Sequence, residues 1–535
     1  MYCDIPQVNQ LTSLLLSHGL TRIVACPGSR NATLLHNFRE AGFTLYPATD
    51  ERSAAFVALG IVLATEQPAA VCVTSGSALL ATLPAVAEAS YRHLPLLVIS
   101  ADRPAQWVGQ YDGQTLPQCG ALQPYCPTCG LSEPHTEELH WANNRLINEA
   151  LCSLRQDGGG PAHLNVPIAE PMFRFTTPEL PTERTVVCHC PATSRPLPDD
   201  GVRLIAEARL PALIMGQYDG GDLRAEVEQL DRNGQLLVLP EILSDVPGSQ
   251  RMNVFDALPA DRPDLLPDVV IHMGGNFVHK RFKQLLRTAD CRVMRIGQDR
   301  ELIDTFCHLT YNIACSPQPA LRQLAAELPS RHQGVERARQ YFEQQVRAAV
   351  PPEPHTPAGV LLTLRHVLQG RTAGFTLHLA NSTAVRAAAQ VFSSGQFPIL
   401  CNRGTNGIEG SLSTAVGYAL EMWGLSIAVI GDLSFFYDAN ALWNTRLPSN
   451  LRILLLNNHG GGIFHRLPGL EVSPALPEYI AAGGQSYSAE GIARTFHIGY
   501  LSARADDALL EAVMRQWLQE DGRARLLEIF LNAST

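Results

Sequence analysis

A carboxylate and an amide follow two apolar runs in the last third of the 535-residue chain. Asp432 comes just after residues 427–430, and Asn458 comes just after residues 451–456. Both runs are typical of buried parallel strands, whose carboxyl ends share one edge of a sheet, so we expect the two side chains to lie side by side. With a main-chain carbonyl at Gly460, they suit a Mg²⁺ or Mn²⁺ ion that also takes oxygens from a diphosphate. Taken singly, such Gly-Asp and Asn-Asn pairs are more often a helix cap and a turn.

Arginines form a second chemical feature, because several lie at or near the ends of predicted strands. Strand ends face the ligand crevice of an open α/β sheet, and a guanidinium binds a carboxylate through two parallel hydrogen bonds. A single arginine of this kind is usually a surface ion pair that contributes little. Five are harder to explain in that way, so we expect a pocket that binds carboxylates. The five are Arg30, Arg103, Arg281, Arg386 and Arg403.

Short apolar runs alternate with segments of helical spacing along the whole chain. Two proline-rich stretches, one between residues 171 and 198 and one between residues 351 and 357, divide the pattern into three blocks. The pattern predicts an α/β fold of three tandem, doubly wound parallel-sheet domains. We place them at residues 1–180, 181–350 and 351–535. Between the strands that precede Asp432 and Asn458, residues 435–446 have the length and spacing of a single helix, which Pro448 stops.

Composition and charge narrow the classes of function. The length and the 46% hydrophobic content are sufficient for three cores, and the net charge of −10 argues against a nucleic-acid partner. No apolar run reaches the length of a membrane span and the first residues lack a secretion signal, so we expect a cytoplasmic protein without a membrane segment. No P-loop motif occurs, and the glycines at 404, 407 and 410 are not spaced as GxGxxG, so nucleotide triphosphate or nicotinamide use has little support.

The thirteen cysteines indicate reduced core thiols, because their number is odd and they are spread through predicted strands and helices. Cys126 and Cys129 form a CxxC pair. The only candidate partner for it, Cys188-His189-Cys190, has the wrong spacing for a zinc finger. We therefore predict neither a disulfide framework nor a zinc site.

The stretch around Asp432 resembles the signature of thiamine diphosphate (ThDP) enzymes, in which a Gly-Asp-Gly-like turn is followed a little under thirty residues later by Asn-Asn. Leu433 stands in place of the second glycine, and His459 stands where a third Asn is common. A longer string resembles one branch of this family, the synthases of menaquinone biosynthesis. Its residues are Gly431-Asp432-Leu433-Ser434, Tyr437-Asp438, Asn440-Ala441-Leu442, Asn457-Asn458, Gly460-Gly461 and Ile463-Phe464.

This resemblance implies a pyrimidine-binding domain, a middle domain and a diphosphate-binding domain, in that order. In the family the cofactor lies between the first domain of one subunit and the last domain of another. A homodimer or a dimer of dimers is therefore implied.

The resemblance also implies which residues contact the cofactor. Glu51 lies in a segment, residues 50–56, that resembles the family's catalytic glutamate segment, and a carboxyl group there hydrogen-bonds the aminopyrimidine so that the tautomer needed for activation is favoured. On its own, an Asp-Glu pair at a helix start is ordinary capping. Ile408 corresponds to the bulky side chain over which the two cofactor rings fold. The implied cofactor contacts are Glu51, Ile408, Gly431, Asp432, Leu433, Ser434, Asn458, Gly460, Ile463 and Phe464, and the implied metal ligands are Asp432, Asn458 and Gly460.

The substrates implied by this branch are 2-oxoglutarate and isochorismate. The reaction removes carbon dioxide from 2-oxoglutarate and adds the resulting succinyl carbanion equivalent to isochorismate in a conjugate addition. Each substrate has two carboxylates, which matches the supply of arginines. Gly113 precedes Gln114 where this branch has Asn. The implied substrate contacts are Ser29, Arg30, Arg103, Gln114, Lys280, Arg281, Ser382, Arg386, Arg403 and Leu467, the last on an apolar side with Ile463 and Phe464.

Two other functions stay open. One is another ThDP-dependent decarboxylase or carboligase, similar to acetolactate synthase, although small singly charged acids do not need five arginines. The other is a catalytically silent ThDP-binding or regulatory subunit, which could dispense with Glu51. His459 and His465 flank the predicted site, but nothing in the sequence assigns a histidine general acid.

Overall fold

The structure is a computed structural model that describes residues 1–188, 193–248, 262–371 and 374–531. Within these ranges the strands form three sheets of six, five and six strands, and neighbouring strands in each sheet run parallel. Helices connect the strands. The predicted α/β fold with parallel sheets is thus confirmed. The domain boundaries after residues 180 and 350 stay a prediction.

The first sheet lies in the first third of the chain. Its strands are β1 (Arg22–Ala25), β2 (Thr44–Pro47), β3 (Ala69–Val73), β4 (Leu96–Asp102), β5 (Thr128–Gly130) and β6 (Ala162–Pro167), in the spatial order β2-β1-β3-β4-β6-β5. The helices of this part are α1 (Pro6–Ser17), α2 (Ala32–Glu40), α3 (Glu51–Thr65), α4 (Ser77–Ala81), α5 (Leu83–Arg92) and α6 (Glu137–Ser153).

The second sheet has five strands. They are β7 (Pro211–Met215), β8 (Leu237–Pro240), β9 (Val269–Met273), β10 (Arg292–Gly297) and β11 (Leu309–Ala314), in the order β11-β10-β9-β7-β8. Its helices are α7 (Asp199–Ala206), α8 (Arg224–Arg232), α9 (Lys280–Thr288), α10 (Pro317–Glu327) and α11 (Gln333–Ala348).

The third sheet carries the predicted metal ligands. Its strands are β12 (Phe375–Leu379), β13 (Ile399–Cys401), β14 (Leu425–Gly431), β15 (Leu451–Asn457), β16 (Gly499–Arg504) and β17 (Arg525–Phe530), in the order β13-β12-β14-β15-β17-β16. Its helices are α12 (Pro357–Leu368), α13 (Thr383–Val391), α14 (Ser411–Glu421), α15 (Asp432–Tyr437), α16 (Glu490–Thr495) and α17 (Leu510–Trp517). Because β14 and β15 are neighbours, the residues that follow them emerge at the same edge.

The single helix predicted for residues 435–446 is wrong. α15 ends at Tyr437, and a separate 3-10 helix, Ala439–Leu442, follows it. The break falls at Asp438, whose buried carboxylate accepts hydrogen bonds from the backbone N–H and the hydroxyl of Ser413, each at 2.8 Å. A side chain anchored in this way to α14 turns the backbone out of the helix, which the local apolar spacing does not reveal.

The first and last parts of the chain share one hydrophobic core, and α3 and α14 pack against each other within it. Glycines allow the two helix backbones to come close. A Cβ built on Gly60 would lie 2.1 Å from the Thr414 carbonyl oxygen, and a Cβ on Gly417 would lie 2.0 Å from the Val57 carbonyl oxygen. Glycine is thus required at both positions, and this contact fixes α3 against α14.

Neither disulfides nor membrane-spanning helices occur among the described residues. Every cysteine in the described ranges is a free thiol, but Cys119, Cys188 and Cys307 are exposed and do not lie in the core as predicted. His189 and Cys190 lie outside the described ranges. None of the described helices combines the length and the apolar character that crossing a bilayer requires.

Candidate active site

Asp432 lies where β14 ends and is the first residue of α15. Its side chain is buried, and the backbone N–H groups of Leu433, Gly460 and Asp432 itself lie near the carboxylate. Burial raises the pKa of this carboxyl, and the nearby N–H groups offset the rise only in part. Bringing a cation to a buried carboxylate relieves the cost of its desolvation, so Asp432 is well placed as a metal ligand.

The two consecutive asparagines after β15 have different environments. The Asn457 amide donates to the Glu528 carboxylate at 2.7 Å and to the Tyr487 carbonyl oxygen at 3.0 Å, and its oxygen accepts from the His459 N–H at 3.1 Å. The Asn458 side chain is only 9% exposed, and it forms no hydrogen bond to any residue that the structure describes. Since no described residue occupies its hydrogen-bonding groups, Asn458 is the amide that is left for a ligand.

The backbone around these side chains also fits a metal-bound diphosphate. Gly431 of β14 is paired with Leu456 of β15, so Asp432 and Asn457 follow at the same height along the two strands. A Cβ built on Gly431 would meet nothing within 4 Å, whereas one on Gly460, at φ 151°, would lie 2.9 Å from the Ala481 carbonyl oxygen. One glycine therefore borders open space and the other permits a tight turn. Carboxylate and amide oxygens beside such a turn are the donors that Mg²⁺ prefers.

The loop that carries Ile408 is tied to the start of α15. The Ser434 hydroxyl donates to the carbonyl oxygen of Ile408, and the Asn381 amide donates to the carbonyl oxygen of Gly407 at 2.7 Å. The Ile408 side chain is 39% exposed, and Leu433 is half-buried. A partly exposed isoleucine on an anchored loop is free to contact a ligand.

Apolar side chains continue this edge of the sheet beyond Asn458. Ile463 and Phe464 lie in the 3-10 helix Gly462–Arg466 and are half-buried, and Leu467, just after it, is 43% exposed. The segment is held by a hydrogen bond of 2.6 Å from the Gly461 N–H to the Ala481 carbonyl oxygen.

Glu51 is the first residue of α3, directly after the N-cap Asp50. Asp50 accepts a hydrogen bond from the Ser53 N–H at 3.1 Å and another from the Asn440 amide at 2.7 Å. Arg52 donates to the carbonyl oxygen of Tyr437 at 2.7 Å. Of the two acidic residues at this helix start, it is therefore Asp50 that caps α3. Glu51 itself is half-buried, and its carboxylate forms no hydrogen bond or ion pair within the described ranges.

Arg30 and Arg103 form one cationic group, at the carboxyl ends of strands in the first sheet. The buried Arg30 guanidinium donates to the carbonyl oxygen of Ile168 at 2.9 Å, and Arg103 forms an ion pair with Asp112 at 2.7 Å. Burial lowers the pKa of Arg30, and the positive charge of Arg103 lowers it further, so the two guanidiniums lie near each other. The other two predicted substrate residues of this part, Ser29 and Gln114, are exposed.

Arg386 and Arg403 form a second cationic group, on the third sheet. The buried Arg403 donates to the Asn381 side-chain oxygen at 3.2 Å and to the Phe277 carbonyl oxygen at 3.3 Å, and the half-buried Arg386 donates to the Ser382 carbonyl oxygen at 2.7 Å. Burial lowers the pKa of Arg386, and the charge of Arg403 adds to this effect. Within the described ranges neither guanidinium has a carboxylate partner, which leaves two neighbouring positive charges to be balanced by an anion.

Lys280 and Arg281 begin α9 in the middle of the chain and are both exposed. The pKa of Lys283, one turn further along, is lowered by burial and then by positive charges that include Arg403 and Lys280. The start of α9 therefore lies in the field of the second cationic group. The structure therefore divides the predicted substrate residues into two groups. The hydrogen bonds and ion pairs of the first group involve the first part of the chain, and those of the second group involve the middle and last parts.

Three buried carboxylates, to which no role was assigned from the sequence, support these loops. Asp438 anchors α14 through Ser413, and burial raises its pKa to about 6. Glu528 holds Asn457, and Glu88 accepts hydrogen bonds from the loop that leads to Ile408. For Glu88 and Glu528 the available signal was an acidic residue at a position where the apolar spacing of a helix or strand calls for a hydrophobic one.

The fold and the first part of the sequence match a known class of enzyme. Residues 8–121 match the family model described as thiamine pyrophosphate enzyme, N-terminal TPP binding domain. Together with three parallel α/β sheets, this match makes the protein a thiamine diphosphate-dependent enzyme.

Curated proteins that are similar over almost their whole length narrow the class. The 2-succinyl-5-enolpyruvyl-6-hydroxy-3-cyclohexene-1-carboxylate synthase of Bacteroides fragilis is 41% identical over 545 residues, which cover 99% of this chain and 97% of the relative. Proteins of the same name from Bacteroides thetaiotaomicron and Phocaeicola vulgatus are 40% and 39% identical over 99% of this chain and 97% and 96% of their own lengths. The chain therefore belongs to the 2-succinyl-5-enolpyruvyl-6-hydroxy-3-cyclohexene-1-carboxylate synthase family, which confirms the resemblance inferred from its motifs.

Proposed function

We propose that the protein removes carbon dioxide from 2-oxoglutarate and adds the remaining succinyl unit to isochorismate, in a reaction that requires ThDP and Mg²⁺ or Mn²⁺. The product is the cyclohexene carboxylate after which the relatives are named, and the step belongs to menaquinone biosynthesis. The observation that carries the proposal is the pair Arg386 and Arg403, two neighbouring guanidiniums without an acidic partner in the described chain. Substrates with two carboxylates each supply the missing negative charge.

The cofactor is proposed to bind at the ends of β14 and β15. Asp432, the Asn458 amide and the carbonyl oxygen of Gly460 are the proposed metal ligands. Gly431, Leu433 and Ser434 line the diphosphate, while Ile408, Ile463 and Phe464 contact the rings. The nearly buried, unpartnered Asn458 amide and the buried Asp432 carboxylate support this assignment.

When bound, ThDP supplies a carbon nucleophile that adds to a keto group and then accepts the electron pair left behind as carbon dioxide departs. Glu51 is proposed to hydrogen-bond the aminopyrimidine ring and so to hold the proton that activates the cofactor. Its half-buried carboxylate without a partner supports that role.

Two groups of residues are proposed to orient the substrates by their carboxylates. Arg30 and Arg103, with Ser29 and Gln114, form the first group. Lys280, Arg281, Ser382, Arg386 and Arg403 form the second, and Leu467 adds an apolar surface. Fixed charges in these positions hold the reacting carbons in line and cost no reorganisation during the reaction.

We further propose that the working unit is a homodimer or a dimer of dimers in which the first part of one subunit faces the last part of another. The first cationic group is held by the first part of the chain, and the second is held by the middle and last parts. Ile408 and Leu467 are exposed apolar side chains at the proposed site. Both features suit a site completed by a second copy. The cytoplasmic location stays a prediction.

The test is an assay of purified protein with ThDP and Mg²⁺. We expect carbon dioxide release from 2-oxoglutarate, and a succinyl cyclohexene product only when isochorismate is added. A preference for pyruvate over 2-oxoglutarate would instead favour an enzyme similar to acetolactate synthase.

The variant Glu51→Gln separates an active enzyme from a silent subunit. It should retain ThDP but lose at least about a hundredfold in exchange of the cofactor's C2 proton, since general-base assistance contributes about 10²–10⁴ in rate. Glu66→Gln, at the exposed far end of the same helix, is the control and should exchange normally. Normal exchange in Glu51→Gln would refute its role.

A further inference from the structure

Glu88 lies on α5 and is almost completely buried, with 1% of its surface exposed. Three donors of one loop converge on it: the N–H of Gly404 at 2.9 Å, the N–H of Thr405 at 2.8 Å and the hydroxyl of Thr405 at 3.0 Å. The same loop carries Arg403 before these residues and Ile408 after them. A Cβ on Gly404 would lie 2.8 Å from the Glu88 carbonyl oxygen, so helix and loop are in direct backbone contact.

Arg92, one helical turn after Glu88, extends the contact to the middle of the chain. It is buried and donates to the Asn402 side-chain oxygen at 3.2 Å. Its other guanidinium nitrogens bind the Asp219 carboxylate at 2.9 and 2.6 Å in a two-pronged pair. Glu88 itself lies 3.5 Å from Arg92. One buried charge cluster, formed by Glu88, Arg92 and Asp219, thus joins elements of all three sheets.

Two side chains from the middle of the chain also anchor this loop. The Gln217 amide donates to the carbonyl oxygen of Cys401 at 2.7 Å, and the Asn276 amide donates to that of Arg403 at 2.8 Å. These bonds fix the backbone up to Arg403 from the side of the second sheet. From Gly404 onward, Glu88 provides the anchor, and a charged acceptor for two adjacent N–H groups is stronger than a neutral one.

We propose that Glu88 is a positioning residue that sets the loop carrying Arg403 and Ile408, with Arg92 and Asp219 holding Glu88 in place. Its carboxylate is fully engaged by protein donors, so it acts through the loop and not on substrate. The inference rests on the proposed function, in which Arg403 binds a substrate carboxylate and Ile408 contacts the cofactor. The inference adds Glu88, which is far from Arg403 and Ile408 in sequence, as a residue on which the placement of these two side chains depends.

The test compares Glu88→Gln with Glu226→Gln. The glutamine retains one acceptor oxygen but turns an NH₂ group toward the loop donors. Glu226 is the matched control, because it is also buried and paired with an arginine, Arg322, but it lies on α8 of the second sheet. Hydrogen–deuterium exchange of the loop amides, KM for 2-oxoglutarate and the Kd of ThDP are measured for both variants.

In Glu88→Gln we expect the amides of Gly404 and Thr405 to exchange at least about tenfold faster, which corresponds to the loss of one charge-assisted hydrogen bond. KM for 2-oxoglutarate should rise by at least about tenfold and the Kd of ThDP by about threefold or more, whereas Glu226→Gln should leave all three unchanged. A merely structural role would lower the melting temperature of both variants without moving these values.

A milder variant covers the case in which Glu88→Gln does not fold. Thr405→Val removes only the hydroxyl that donates to Glu88, on a residue that is otherwise exposed, and should also raise KM, by about threefold. Unchanged loop exchange and KM in both variants, with a wild type that turns over 2-oxoglutarate, would overturn the positioning role. A wild type that does not use 2-oxoglutarate would instead refute the proposed function, and the loop exchange would still test the anchoring by Glu88.

Discussion

The substitution Gly417→Ala tests the closest contact between the first and last parts of the chain. Gly417 lies inside α14, and a Cβ on it would lie 2.0 Å from the Val57 carbonyl oxygen of α3. Real Cβ atoms essentially never come within 3.0 Å of another heavy atom. The two helices therefore have to separate by about 1 Å to accept the methyl group, a cost of the kind that overpacking brings.

The expected magnitude follows from two opposing effects. Alanine is more favourable than glycine inside a helix by about 1 kcal/mol. Overpacking a tight core costs about 1–3 kcal/mol, and the upper end applies here because the clash is with a backbone carbonyl that cannot rotate away. We expect Gly417→Ala to lower the free energy of unfolding by about 2 kcal/mol.

Urea unfolding and differential scanning calorimetry measure the loss. The control is Gly491→Ala on α16, where an added Cβ meets nothing within 4 Å, so only the helix preference of alanine acts and the free energy of unfolding should rise by up to about 1 kcal/mol. Glu51 is the first residue of α3, and the loop that carries Ile408 leads into α14. Separation of the two helices should therefore displace residues of the proposed cofactor site and weaken ThDP binding in calorimetric titration. A Gly417→Ala protein that is as stable as the control would refute the packing argument.

Two further predictions concern the metal and acid sensitivity. Asp432→Asn should raise the Mg²⁺ concentration that half-saturates ThDP binding by at least about tenfold, because one anionic ligand is lost; calorimetric titration with an unchanged Mg²⁺ dependence would contradict the assignment. His272 is buried between Phe277 and Phe306 with both ring nitrogens unpartnered, and burial lowers its pKa from 6.5 to about 3. As pH falls below 6.5 the unfolded chain binds this proton and the folded chain does not, so the free energy of unfolding falls by about 2 kcal/mol from pH 6.5 to pH 4.5. His272→Phe should remove that part of the pH dependence in urea unfolding, and an equally steep loss in the variant would show that the buried ring is not its source.

Local sequence patterns were sufficient for the strands and for the placement of the candidate metal ligands. Val, Ile, Leu and Ala runs closed by glycine or asparagine predict buried parallel strands, and strand neighbours put Asp432 and Asn458 at one edge. The sheet order confirms that β14 and β15 are adjacent. Motif spacing was also sufficient for the family, because the signature residues lie close together in the chain and their types follow from the oxygen ligands that a metal-bound diphosphate needs.

The strand pattern, the strand-end carboxylate and amide, the excess of arginines and the family can all be inferred from the amino-acid sequence. Three features required the folded chain: Asp438 ends α15, the arginines separate into two groups, and Glu88 holds a loop more than 300 residues away in the chain. These features depend on which distant donors meet a buried charge. Helix and strand periodicity indicates which face is buried but carries no information on what lies opposite it.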